Sequence, residues 1–444
     1  MSLWKKRSDL KPGAYKYDGK GDFTGHRFHL RVDSEGKGVL LVDASKLLFL
    51  NGSAMEYVHC ILQEKDEKGT IKYILSRFKK VKRAQAVADH GAVRAQLQGF
   101  VHGDMSVMDF MGSETPVIGE DAMPSPYRMD LALTYDCQNR CGHCYNEPGE
   151  RKALTTEQWK QVIAKTWEQG IPHIVFTGGE PTLHPGLREL IIESEKYGQV
   201  TGLVTNGRSL ARPGYLHDLV QVGLDHVQIT LLSHRESLHD ALVCSQGAWH
   251  ETIAGIKAAL AEDIYVSTNT TIMVSNVGDI EETMRFIASL GVKNIAFNGI
   301  IRSGGGKSAE GITFERLSAV LARLKAVAEE TKARLIWYSP TPYCEYNPIN
   351  EGLGIKQCTA CSINMAVEPD GAVLPCQSYY TSLGNILTDP WNKIWNHELC
   401  KELRERKYLP QKCKDCALWD TCGGGCPLSI KEGEYTCLDR HSSM

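Results

Sequence analysis

Long apolar runs are missing from this chain. No stretch of its 444 residues approaches the roughly 20 consecutive apolar positions that a membrane-spanning helix requires. The opening residues, Met1-Ser-Leu-Trp-Lys-Lys-Arg-Ser-Asp-Leu10, contain no apolar segment of signal-peptide length, so export is not expected. Excess charge of one sign is absent too: 50 Lys and Arg stand against 53 Asp and Glu, a net charge of −3. That balance argues against general affinity for nucleic acid or for a membrane surface. A cytoplasmic protein with neither kind of partner is the expectation, and it changes how the fifteen cysteines are read. In a small secreted chain they would form a disulfide framework; here they point to metal ligation in a reducing compartment. Apolar residues, 42% of the total, are enough for real cores, and the length suggests about three domains.

One further absence is local. The apolar stretch Leu131-Ala-Leu-Thr-Tyr-Asp runs into Cys137-Gln-Asn-Arg-Cys141-Gly-His143-Cys144-Tyr145, which holds three cysteines with no fourth nearby. A zinc site usually needs four close Cys or His ligands, and His143, squeezed between Cys141 and Cys144, is awkwardly placed to be the fourth. A cubane of four irons normally takes four cysteines, so three leave one iron open to a small molecule.

This Cys-x3-Cys-x2-Cys run resembles the signature of the radical SAM superfamily. The resemblance implies that Cys137, Cys141 and Cys144 hold a 4Fe-4S cluster whose open iron binds S-adenosylmethionine (SAM). Reduction then cleaves SAM to a 5'-deoxyadenosyl radical that abstracts hydrogen. His143 belongs with the cofactor-binding candidates. About 40 residues on stands Thr177-Gly178-Gly179-Glu180-Pro181; two glycines let the backbone approach a ligand closely, and a carboxylate beside them can receive a cationic amine. It resembles the family motif that holds the SAM amino group, here Gly178, Gly179, Glu180 and Pro181. Thr205-Asn206-Gly207 resembles another family element near the ligand, and Thr230 matches the hydroxyl position at the SAM ribose, with Ser233 just beyond. Peptide-modifying relatives often carry an Arg for the SAM carboxylate where His239-Asp240-Ala-Leu-Val243-Cys244 has Val243. Arg235 is an available substitute cation; the competing reading is an exposed surface arginine. Arg302, in a glycine-rich loop expected to be flexible, is a candidate substrate contact.

From 128 to 310 strand and helix patterns alternate. Strands are expected at Met129 to Leu133, Ile174 to Phe176, Gly202 to Thr205, His226 to Leu232, Val266 to Met273 and Asn294 to Asn298. One helix between them begins at Thr155 with Gln158 placed for a capping box and stops before Gly170; another runs from Ile280 to Gly291. Six such units imply an α/β fold, a partial (βα)6 TIM-type barrel with its chemistry at the carboxyl ends of the strands, which agrees with the radical SAM core.

The amino-terminal segment reads as two or three short strands between 26 and 50, with a turn at Ser34-Glu-Gly36, and then three amphipathic helical patterns. This small α+β, winged-helix-like unit resembles the PqqD-like peptide recognition element of enzymes that modify ribosomal peptides, with Leu47-Leu-Phe-Leu-Asn51-Gly-Ser53-Ala as its strand-to-helix junction. The resemblance implies leader-peptide binding by strand addition; a plain packing domain is the alternative. The run Lys79-Lys-Val-Lys-Arg83 suits an acidic leader or simply a solvated face.

Cysteine density rises again near the carboxyl end: Cys361-x9-Gly371-x4-Cys376, then Cys413-x2-Cys416-x5-Cys422-x3-Cys426, and Cys437. The order resembles the SPASM domain and implies two auxiliary 4Fe-4S clusters, three clusters in all; paired zinc ribbons are the competing reading. The family's interleaved ligation implies Cys413, Cys416, Cys422 and Cys437 for the second auxiliary cluster. It gives Cys376 and Cys426 to the first, with Cys344, Cys358 and Cys361 competing for two places and Cys358 favoured. Cys60, Cys244 and Cys400 read as small apolar residues.

The expected organisation is therefore 1–101, recognition element; 102–127, linker; 128–310, radical SAM core; 311–343, bridging helix and strand; 344–444, SPASM domain. The expected function is radical modification of a ribosomally made peptide by crosslinking, ring formation or epimerisation, with the precursor peptide and an electron donor such as ferredoxin or flavodoxin as partners. The alternatives are a maturase of a protein or haem-type cofactor, resembling sulfatase maturases, and a non-radical iron-sulfur electron-transfer protein. No catalytic side chain is identified.

Overall fold

Hydrogen bonding divides the strands into two sheets, one wholly antiparallel and one almost wholly parallel. The computed structural model describes residues 10–32, 36–43, 46–102, 125–147 and 152–431, with the side chain of Leu47 excepted. The chain forms two compact units, Met1–Met123 with Trp167–Pro172, and Pro124–Thr166 with His173–Met444.

Among the described residues the first unit has four strands, β1 (Gly13–Asp18), β2 (Arg27–Val32), β3 (Gly38–Val42) and β4 (Lys46–Leu50), paired in sequence order. Three helices follow: α1 (Gly52–Leu62), α2 (Glu67–Arg77) and α3 (Arg83–His102). The pattern Phe28, Leu30, Val32 places alternate side chains in a core with Leu40, Leu48, Met55, Val58, Leu97 and Phe100, as the pleat of a strand demands, while the intervening His29 and Arg31 are buried too. Asn51 follows β4 and caps α1, its side chain accepting from Ser53 N (3.1 Å) and Ala54 N (2.9 Å), so the junction follows from a strong N-cap residue. Strand β1 is an addition to the expected unit. Its tyrosines are only half buried, and the preceding Lys11-Pro12 looks like loop. Ser34 and Glu35 of the expected turn and most of the linker 102–127 lie outside the described residues, while Gly36 takes φ +81°.

In the second unit the order is β11-β10-β9-β8-β7-β6-β5-β12-β13. Here β5 is Arg128–Thr134, β6 His173–Gly178, β7 Val200–Thr205, β8 His226–Thr230, β9 Tyr265–Thr271 and β10 Asn294–Asn298, the six expected strands. They are parallel and each pairs with its predecessor, so all six carboxyl ends emerge on one side, as in a singly wound α/β sheet. The helix Thr156–Glu168 starts with the expected box: Thr155 N donates to Gln158 Oε1 (3.0 Å) and Gln158 N to Thr155 Oγ1 (3.3 Å).

The sheet extends beyond the expected six. β11 (Arg334–Trp337) adds parallel to β10. At the opposite edge β12 (Asn364–Val367), between Cys361 and Gly371, pairs parallel with β5 and antiparallel with β13 (Val373–Leu374). Gly371, at φ +86°, makes the turn between them. The carboxyl-terminal cysteine segment thus shares one sheet with the strand that leads into Cys137.

Candidate functional site

The three-cysteine loop leaves β5 at Thr134 and is seated at once on the turn that leaves β6. Gly179 N donates to Thr134 O (2.7 Å) and Glu180 N to Asp136 O (2.8 Å). A methyl group on Gly178 would collide with Thr134 O, and one on Gly179 would lie 2.5 Å from Tyr135 O. Both glycines therefore serve contact with the cysteine loop itself, a reason for them beyond the approach of a ligand.

Glu180 is fully buried. Its Oε1 accepts from Thr182 N (3.1 Å), Thr182 Oγ1 (2.6 Å) and Thr205 Oγ1 (2.7 Å), and its Oε2 from Asn206 N (2.8 Å). Burial pushes its carboxyl up, while the four donors oppose that shift. Pro181 opens the short turn that follows, with Glu180 as its cap. Asn206 carries the network onward: its Nδ2 donates to Gln138 Oε1 (2.9 Å) and approaches Cys137 Sγ (3.8 Å). One carboxylate thus joins the ends of β6 and β7 to the cysteine loop.

Cys137, Cys141 and Cys144 are free thiols, the first exposed and the others half buried. Burial pushes all three up, Cys141 to about 12, with the neighbouring Cys144 and Cys137 adding to its shift. Such thiols become thiolates only with a cation to hold them. Among the described residues no three His, Cys, Asp or Glu side chains converge as for a single metal ion. A cubane asks for a different arrangement, one thiolate at each of several corners, and three partly exposed thiols on one loop suit it. His143, in the same loop, is pushed down to about 4 by burial and is neutral at neutral pH.

The remaining SAM candidates are unequal. Thr230 ends β8, half buried, and Ser233 is fully buried with Oγ accepting from Arg235 N (3.0 Å). Arg235 itself is paired with Asp279 at 2.5 Å and its side chain is 55% exposed, closer to the surface-arginine reading. Val243, where the relatives' Arg stands, is 1% exposed in an apolar cluster with Leu232, Ala248 and Met273, against which Cys141 packs. Arg302 is turned back on its own loop, Nη1 donating to Gly306 O (2.9 Å) and Ala309 O (2.8 Å), around a short helical turn at Gly304–Lys307. Sequence reading missed Arg208: its guanidinium donates to Asn139 Oδ1 (2.8 Å) and Ser245 Oγ (2.8 Å), tying the cysteine loop to the segment after Val243. Its place directly after Thr205-Asn206-Gly207 was the available signal.

The second cysteine field falls into two groups. Burial pushes the Cys358 and Cys376 thiols up, Cys376 to about 12; neighbouring Cys426 adds to both shifts and Cys376 adds to that of Cys358. Cys413 is likewise raised by burial, then by Cys422 and Cys416. Between the groups Gly423, Gly424 and Gly425 all take positive φ (65°, 75° and 88°), a backbone run that lets Cys422 and Cys426, four residues apart, face different partners. Of the three cysteines competing for the first auxiliary set, Cys361 is fully buried in a disulfide with Cys400, and Cys344 is disulfide-bonded too. Cys358 is the one left as a free thiol beside Cys376 and Cys426. Cys400, read from sequence as a small apolar residue, is instead this disulfide partner. Cys437 lies outside the described residues.

Residues 131–287 match the radical SAM superfamily, and residues 358–417 match the SPASM iron-sulfur cluster-binding domain. The chain is 26% identical over 331 residues to the PqqA peptide cyclase of Ruegeria pomeroyi, covering 71% of this chain and 85% of that one. It is 25% identical over 315 residues to the PqqA peptide cyclase of Rhizobium meliloti, covering 68% and 82%. Its fold is similar to that of Streptococcus suis SuiB bound to the precursor peptide SuiA, with a TM-score of 0.64 at 15% identity over 91% of this chain and 95% of that one. The fold is also similar to that of anSMEcpe with bound AdoMet, with a TM-score of 0.53 at 16% identity over 68% and 89%.

Proposed function

This chain belongs to the radical SAM superfamily and carries a SPASM iron-sulfur domain, and from that premise we propose that it modifies a ribosomally synthesised peptide. When loaded, the cluster and SAM supply a 5'-deoxyadenosyl radical that removes a hydrogen atom from the peptide. The rest falls to the protein's own residues. Cys137, Cys141 and Cys144 hold the first cluster, and Glu180, through its link to Asn206, keeps the amino-group pocket beside it. Cys358, Cys376 and Cys426 serve the first auxiliary cluster; Cys413, Cys416 and Cys422, with Cys437, serve the second. Gly178, Gly179, Pro181, Asn206, Thr230 and Ser233 line the SAM side, and a reduced ferredoxin or flavodoxin supplies the electron. The two peptide cyclases among the relatives and the precursor peptide bound to SuiB support a peptide substrate. The four-stranded unit is the candidate leader-binding element, its edge strand offering the backbone for strand addition.

The observation that carries the proposal is the seat of the three-cysteine loop on the Gly-Gly-Glu turn, with Glu180 bonded to both sides of it. The test starts with anaerobic reconstitution to about twelve irons per chain, as three cubanes require. Dithionite and SAM are then added and 5'-deoxyadenosine is measured. Formation of that product removes the simple electron-transfer reading; its absence overturns the proposal. Peptides translated from the short reading frames flanking the gene are then incubated with the loaded enzyme, and a mass change in one of them identifies substrate and reaction class together.

A further inference from the structure

The glycine-rich turn after β10 lies on the cysteine loop, and none of the chemistry above uses it. Gly305 N donates to Cys144 O (2.8 Å). A methyl group on Gly304 would lie 2.5 Å from Asn146 O and 2.7 Å from Cys144 O, and one on Gly305 would collide with Gly142 O. Two backbones are therefore in direct contact at the third cysteine, with no side chain between them. Beside this contact Glu147 Oε1 accepts from Lys307 Nζ (2.7 Å), Gly304 N (3.0 Å) and Ser303 Oγ (3.2 Å). Arg302 stiffens the turn from within by holding the carbonyls of Gly306 and Ala309. On its other side the cysteine loop is fixed by Asn146 Nδ2 donating to Gly178 O (2.8 Å). The turn leaves a strand five places from β5 in the sheet order, so it joins two strand ends that no strand pairing connects.

We propose that Ser303–Lys307 is a retaining clamp for the cluster at Cys137, Cys141 and Cys144, the Gly304-Gly305 backbone covering Cys144 and Glu147 latching the cover. This rests on the functional reading above and adds to it which residues govern whether the cluster stays. Gly142 and Cys144 lie in the part of the loop that the bonds of Asn206 and Arg208 to Gln138 and Asn139 do not reach. A latch built from one ion pair and two further donors to the same carboxylate oxygen lowers the population of loops open enough to release iron.

The test uses the full chain, anaerobically reconstituted, in four forms: parent, Gly305→Ala, Glu147→Gln and Gly278→Ala, the last at a position where an added methyl meets nothing. Each is exposed to EDTA, and the surviving first cluster is read from the part of the reduced-protein EPR spectrum that changes on adding SAM. Gly305→Ala is expected to lose that signal about tenfold faster than the parent, because the added methyl displaces the Gly142 carbonyl and the bond to Cys144 O, and Glu147→Gln several-fold faster, because the ion pair with Lys307 is lost. Gly278→Ala and the SAM-insensitive iron should follow the parent. The inference is overturned if Glu147→Gln and Gly305→Ala release the SAM-responsive iron at the parent rate, or if all iron leaves the variants equally fast. A parent protein with no SAM-responsive signal would overturn the functional reading, and the clamp with it; that failure is distinct because it appears before any substitution is made.

Discussion

At the scale of single residues, the site depends on groups that are fully committed before any ligand arrives. Glu180 uses both carboxylate oxygens on four donors. Glu180→Gln turns an acceptor into a donor facing donors, and should cost about 2 kcal/mol of stability together with a loss of SAM affinity, read by thermal unfolding and by SAM titration of the reduced cluster. Val243 teaches the opposite lesson about borrowed motifs. Restoring the relatives' arginine with Val243→Arg would put an unpaired charge into the cluster of Leu232, Ala248 and Met273; we expect destabilisation of about 3 kcal/mol or more and no gain in SAM binding. The Gly-Gly-Glu turn and the cysteine spacing were legible because their meaning lies within a few consecutive residues. Arg208, Glu147 and the Cys361–Cys400 pair were not, because their partners are 37 to 160 positions away; only Arg208 had a local signal, its place after Thr205-Asn206-Gly207.

At the scale of elements, the six strands of the core and two of the helices between them were readable from periodicity and from caps such as Thr155 with Gln158. What periodicity could not supply was pairing. The four residues of β12 give too short a signal to be assigned to the sheet, and β1 hides behind half-buried tyrosines. The turn Gly423-Gly424-Gly425 is another element whose role emerged only in three dimensions. Gly424 sits at φ +75°, and an added methyl would stand 2.5 Å from Leu409. Gly424→Ala is therefore expected to strain the backbone by about 1 kcal/mol or more and to misdirect Cys422 relative to Cys426. Iron analysis should show loss from the auxiliary complement of about eight atoms, while the SAM-responsive signal persists.

At the scale of the whole molecule, two compact units divide the work that the proposal assigns. Removing residues 1–101 should leave 5'-deoxyadenosine formation from SAM within about twofold of the parent, since no cluster cysteine lies there, while a precursor peptide loses the strand-addition surface. The comparison is made by product quantitation and by peptide titration of both forms; unchanged peptide affinity would return that unit to a packing role. The pairing of β12 with β5 limits where the chain can be cut in the other direction. Ending it after residue 343 would strip β12 from residues 128–131 of β5 and leave an apolar strand with a naked row of amides and carbonyls. Such an edge recruits other chains, so the excised core should emerge from expression as aggregate. The cysteine-rich tail is thus a solubility determinant of the barrel it appends, whatever electrons it comes to carry.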